Sequence, residues 1–266
     1  MTHTQIESLQ SLRSKCRPVA AAISATILML SGIARADAPA AHHWTYSGET
    51  GPAHWASEDA AFATCGLGKA QSPIDIEKTK KLDLPPLEFS YQPTALRVTD
   101  TGHSMQLNYQ PGSKLTVGGT SYELVQIHFH KPSEEHVRGK PYAMVAHMVH
   151  KNEQGDLAVV AVLMRAGATN AFLKPIFGNF PAPGQQESVL ADQTVSAQVF
   201  LPTARGYYSF DGSLTTPPCS EHVKWFVLKS PVEISAAQIN QFGSRYPKNA
   251  RPVQPLNGRT VLESKN

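Results

Sequence analysis

Two histidines one residue apart, in Gln126-Ile127-His128-Phe129-His130, and a third in Met144-Val145-Ala146-His147, have the types and spacing to do chemistry together. Side chains alternate faces along a β-strand, so His128 and His130 project from one face while Ile127 and Phe129 turn to the other. Two imidazoles placed that way can both reach one ion about 2 Å from each nitrogen. On the second segment His147 shares a face with Val149, whereas Met148 and His150 share the opposite one. Three neutral imidazoles with a fourth position open describe a catalytic zinc site, and four protein ligands would describe a structural one. The pattern alone still leaves a second reading, in which the histidines are ordinary hydrogen-bonded core or surface residues. Other metal signatures are missing, since the chain has neither His-Glu-x-x-His nor paired Cys-x-x-Cys. Gly66-Leu67-Gly68 lacks a third glycine and opens no βαβ unit, which argues against a nucleotide site.

The elements that must carry these residues read as β-strands. Short apolar or alternating runs cover Leu87–Tyr91, Leu96–Thr99, Met105–Tyr109, Tyr122–His130, Ala143–His150, Leu157–Met164, Val199–Leu201 and Val223–Leu228. Leu157–Met164 is apolar on both faces and is expected as a central strand buried from both sides. Helical signals are few: Ser235 can cap a helix through Phe242, and another short one can follow Trp55. Glycines and prolines scattered between the runs supply turns, with no repeat or long linker. The pattern predicts a mainly β, single domain on one large, twisted, mostly antiparallel sheet of about ten strands with a few short peripheral helices.

The first 36 residues read as a targeting segment. Arg13, Lys15 and Arg17 precede the uncharged, mostly apolar stretch from Val19 to Ile33, and Ala34-Arg35-Ala36 fits a small-x-small cleavage site. A cleaved signal peptide over 1–36 would leave a domain over 37–266, in the periplasm or secreted, with no membrane span. The whole chain has 24 Lys and Arg against 21 Asp and Glu; setting aside Arg13, Lys15, Arg17 and Arg35 against Glu7 leaves 20 of each. The basic excess thus belongs to the leader, and nothing supports a nucleic-acid partner. Cys16 would leave with the leader, and an even pair in an exported chain, Cys65 and Cys219, reads as one disulfide, with two buried thiols as the alternative.

Six stretches in this order are similar to the α class of carbonic anhydrases of exported bacterial type. They are Trp44-Thr45-Tyr46, Gly51-Pro52-Ala53-His54-Trp55, Gln71-Ser72-Pro73-Ile74-Asp75-Ile76, the His128 segment, Ser213-Leu214-Thr215-Thr216-Pro217-Pro218 and Asn249-Ala250-Arg251-Pro252-Val253-Gln254. The resemblance runs from Trp44 to the end of the chain. It implies a zinc enzyme that interconverts CO2 and bicarbonate by way of a zinc-bound hydroxide, with His128, His130 and His147 as metal ligands. It also implies the Cys65–Cys219 pairing, which would tie the Thr215 loop to the N-terminal segment.

Further roles follow from the resemblance. Thr215 would orient the hydroxide and donate to a buried carboxylate. Counting 13 residues back from His147 places that carboxylate at Glu134, with Glu135 the runner-up. The family usually has glutamate two residues before the third ligand, where this chain has Val145. Glu135 either replaces that carboxylate beside His147 or is a solvated loop charge. Gln126 is expected behind His128, and a backbone carbonyl near Asn249 behind His130. His103, in Thr101-Gly102-His103, matches the proton-shuttle position. Val149, Val159, Leu214, Val223 and Trp225 would form an apolar wall for CO2, with Tyr46 and Thr216 on the polar side. His42, His43, His54 and His150 are expected to be surface or structural.

The leading expectation is therefore a hydro-lyase with a small-molecule substrate, monomeric or homodimeric. The alternative is a non-catalytic, zinc-containing cell-surface binding protein of the same fold, and some esterase activity would be compatible with the enzyme.

Overall fold

A computed structural model describes residues 43–182 and 185–265 of the chain. The expected leader over 1–36 and His42 lie outside the described residues. Ten strands form one continuous sheet path: β1 (Thr79–Leu82), β2 (Thr94–Asp100), β3 (Met105–Asn108), β4 (Thr120–His130), β5 (Met144–Lys151), β6 (Leu157–Ala166), β7 (Glu187–Val195), β8 (Tyr207–Ser213), β9 (Glu221–Leu228) and β10 (Val261–Ser264). Across the sheet they run in the order β7-β2-β3-β4-β5-β6-β9-β8-β10-β1, and three shorter strands at its margins bring the total to 13. Neighbours on the path are antiparallel except β6 with β9 and β10 with β1, which run parallel. A separate small sheet joins Asp75–Ile76, His136–Val137 and Lys140–Pro141. The fold is the mainly β domain expected, with short helices at its edge.

Alternation along the central strands sorts side chains into two layers. Ala158, Val160, Val162 and Met164 of β6 join the larger apolar cluster, along with Ile127, Phe129 and Met148. Val159, Ala161 and Leu163 join the other, with Val145, Val223 and Trp225. β6 lies between β5 and β9 and is buried on both faces, as its uniformly apolar sequence requires. His128, His130 and His147 face the smaller layer, whereas His150 turns to the larger one beside Tyr91.

Helices are short, as expected. α1 (Trp55–Glu58) and α2 (Thr64–Leu67) bury Trp55 and Cys65 in a small cluster of their own, and α3 (Leu173–Gly178) and α4 (Ala236–Gly243) cover the larger cluster through Ile176, Phe177 and Phe242. α4 begins with a capping box, in which Ser235 accepts from the backbone of Gln238 and the Gln238 side chain reaches back.

One expected strand is absent. Val199–Leu201 is not extended: Ala197–Val199 form a single helical turn whose start is capped by Ser196. Val199 is 75 % exposed, so the valine that drew the strand reading has no sheet to join. Conversely, β7 was not foreseen, because a polar edge strand with most side chains in solvent carries little apolar alternation.

Candidate metal centre

Strand register assembles the site. His147 on β5 lies directly opposite His128 on β4, and Val145 lies opposite His130. The three imidazoles therefore come from two adjacent strands on one face, with a set of ligating atoms lying within 4.8 Å of one another. His130 and His147 are each 1 % exposed.

Each ring is held from behind. His128 Nδ1 lies 2.8 Å from Gln126 Oε1, His130 Nδ1 lies 2.7 Å from the carbonyl oxygen of Asn249, and His147 Nε2 lies 3.0 Å from Glu135 Oε1. Nitrogens so engaged donate to these acceptors, which leaves His128 Nε2, His130 Nε2 and His147 Nδ1 with free lone pairs. His130 Nε2 is buried with no hydrogen-bond partner, a state that native structures avoid unless a ligand supplies one. An all-imidazole donor set of this kind fits a zinc ion.

Electrostatics keep two of the rings neutral. Burial, reinforced by the neighbouring His147, lowers His128 to about 3, and burial drives His130 well below the usual imidazole range. His147 moves the other way: burial pulls it down, but the carboxylates of Glu135 and Glu134 outweigh that and raise it. The two glutamates are adjacent, each at most 1 % exposed, and serve different partners. Glu134 Oε1 accepts from the backbone of Arg251 at 2.7 Å. Burial pushes Glu134 up to about 7, while the Thr215 hydroxyl is among the groups that hold it down. Both Glu135 oxygens face His147, at 3.0 and 3.2 Å.

Thr215 is 5 % exposed, in the loop after β8. That loop is pinned by reciprocal hydrogen bonds between Ser72 and Ser213, by Gln71 donating to the carbonyl of Cys219, and by the Cys65–Cys219 disulfide. An apolar row leads away from the imidazoles: Val149 on β5 lies opposite Val159 on β6, which lies opposite Trp225 on β9. Val223 and Leu214 pack in the same cluster, and Trp225 meets the His147 ring edge-on with centroids 4.9 Å apart.

The opposite side of the site is a cleft of about 190 Å³ bordered by Tyr46, His103, Gln126, His128, His130 and Thr216. Gly102 takes a φ of +77°, where glycine avoids the penalty of a Cβ, and this turns the chain into His103. The His103 ring stacks on Trp44 with centroids 3.5 Å apart. Burial, helped by His43, lowers His103 below the ordinary imidazole value, while Asp100 opposes the shift. His43 and His54 are exposed. His150 faces away from the other histidines and sits 2.7 Å from the Tyr91 hydroxyl. Sequence reasoning did not foresee the Trp44 stack or the part played by the Asn249 side chain.

The eukaryotic-type carbonic anhydrase model matches residues 50–265. The chain belongs to that family. A carbonic anhydrase from Nostoc sp. is 43 % identical over 227 residues, spanning 84 % of this chain and 86 % of the relative. One from Pectobacterium carotovorum is 41 % identical over 236 residues, or 88 % and 96 % of the two chains. Among solved structures, the α-carbonic anhydrase of Photobacterium profundum superposes with a TM-score of 0.78 at 43 % identity, covering 83 % of this chain and 100 % of the other. The carbonic anhydrase family model covers the strands that bear the three histidines, the Thr215 loop and the Asn249 segment alike.

Proposed function

We propose that the chain catalyses reversible hydration of CO2 to bicarbonate and a proton, at a zinc ion held by His128, His130 and His147. The observation that carries this reading is the convergence of three imidazoles whose outward nitrogens are already engaged, between a polar cleft and an apolar wall. Zinc at such a site supplies Lewis acidity, enough in this enzyme class to make a nucleophilic oxygen from water near neutral pH.

The protein's own residues do the rest. Thr215, both donor and acceptor, orients the attacking oxygen and passes its own hydrogen toward Glu134. Glu134 is held as an acceptor by the Arg251 backbone. CO2 is apolar and lies against Val149, Val159, Leu214, Val223 and Trp225, which share one apolar cluster. Tyr46 and Thr216 border the polar side. His103 accepts the released proton at the cleft mouth and delivers it to solvent. Its lowered pKa keeps the ring neutral and ready to accept at pH 7, and turnover slows as falling pH protonates it.

The disulfide and the leader-like pattern of residues 1–36 support a periplasmic or secreted protein. Among the described residues no helix is long and apolar enough to cross a membrane.

Stopped-flow CO2 hydration measured beside ester hydrolysis, with and without a zinc chelator, tests the reading. Chelator-sensitive hydration far faster than ester cleavage is expected. Dominant ester cleavage, or no catalysis by the zinc-loaded protein, would overturn it.

A further inference from the structure

The carboxylate behind His147 comes from a different element than His147 itself. Glu135 lies in the loop between β4 and β5, is 0 % exposed, and directs both carboxylate oxygens at His147 Nε2. It is therefore no solvated loop charge. A buried carboxylate is costly unless paired, so its position has to be enforced by the chain around it. The enforcement is visible: Ser133 Oγ donates to the Glu135 carbonyl at 2.8 Å and accepts from the Tyr142 backbone at 2.8 Å. The backbone of His136 bonds to Ile74 at 3.2 Å, fixing the far side.

The strand position beside His147 is filled differently. Val145 lies two residues before His147, on the same face of β5, and is 0 % exposed in the apolar cluster. Residues two apart on a strand are separated by roughly 6.5–7 Å, within reach of a glutamate side chain. His147 Nε2 has one hydrogen to donate, so a carboxylate at either position can take it and a second would remain an unpaired buried charge.

We propose that Glu135 is the positioning residue for His147, turning Nδ1 toward the other two imidazoles, and that residues 135 and 145 are alternative seats for a single carboxylate. The inference rests on the three-histidine metal reading and adds a dependence between two residues that touch no substrate. Substitutions at the two seats should then show opposite effects alone and together. Glu135→Gln loses the charged acceptor. Val145→Glu alone crowds two carboxylates at one nitrogen. Combined, they restore one carboxylate.

The test compares the parent, Glu135→Gln, Val145→Glu and the double variant by zinc affinity against a competing chelator, with thermal unfolding alongside. Glu135→Gln is expected to weaken zinc binding about 10–100-fold. Val145→Glu is expected to lower the unfolding temperature. The double variant should recover zinc affinity to within a few-fold of the parent, which a merely structural role for Glu135 would not produce. Parental zinc affinity in Glu135→Gln overturns the proposal, and so does a double variant as weak as Glu135→Gln. A parent that takes up no zinc would instead remove the metal reading beneath it. Should Glu135→Gln fail to fold, the double variant against the parent still decides the matter.

Discussion

The side-chain amide of Asn249 donates to the carbonyl oxygen of His103 at 3.0 Å, 146 residues away in sequence. The same amide donates to the Phe129 carbonyl at 2.9 Å, while the Asn249 backbone carbonyl lies 2.7 Å from His130 Nδ1. One buried residue thus links the turn that carries His103 to the strand and ring of His130. Ser104 adds a second tie, donating to the Phe129 carbonyl at 2.6 Å. The His103 turn is further braced by Asp100, which accepts from Tyr246 at 2.6 Å and from the backbone of Gly102 at 2.9 Å.

Asn249→Ala keeps the backbone carbonyl and removes the amide, so it should separate these two functions. Zinc content is expected to hold, while turnover in weak buffer falls about tenfold and recovers with added imidazole. Loss of the buried donor should also cost about 1–3 kcal/mol of stability. Rates at two buffer concentrations, with His103→Ala as the benchmark, check this; a loss independent of buffer would assign Asn249 a structural role only.

His150 makes stability depend on pH. Its Nε2 faces the Tyr91 hydroxyl at 2.7 Å and its Nδ1 the Ala158 carbonyl at 3.3 Å, an arrangement that suits the neutral ring. Burial lowers its pKa to about 4 from an ordinary 6.5. Between those values the unfolded chain binds the proton and the folded one does not. Stability is therefore fully present above pH 6.5 and declines as pH falls toward 4, by about 3 kcal/mol. Urea unfolding of metal-stripped parent and His150→Leu across this range isolates the effect, because contributions from the other histidines cancel. His150→Leu should be less stable at pH 7 but show the shallower pH slope.

The disulfide closes a span of 154 residues, and Cys219 lies four residues after Thr215. Replacing both cysteines with serine should cost about 5 kcal/mol of stability on the chain-entropy model. It should also lower turnover through a looser Thr215 loop, with zinc still bound. Urea unfolding together with metal analysis checks both parts, and unchanged turnover would show that the loop holds without the bridge.

What could be read before the structure was whatever repeats at short range. His128 and His130 declare a shared face through the strand period, and β6 declares its central place through unbroken apolar sequence. Ser235 announced α4 through local capping chemistry. Contacts that depend on distant backbone were illegible: Asn249 reaches His103 through a carbonyl oxygen, which every residue type possesses. Val199 misled because its apolar side chain lies in solvent. Nor does sequence alternation reveal β7, whose neighbours come from one side of the sheet only. Glu135 lies between these cases, since its proximity to His147 depends on a loop path that spacing alone does not define.

The most direct measurement is a zinc titration of the metal-stripped protein followed by stopped-flow CO2 hydration. Hydration should be absent without metal, rise in proportion to added zinc, and level off at one equivalent per chain, with His147→Ala showing no such rise. Activity that survives complete stripping, or that His147→Ala retains in full, would contradict the account.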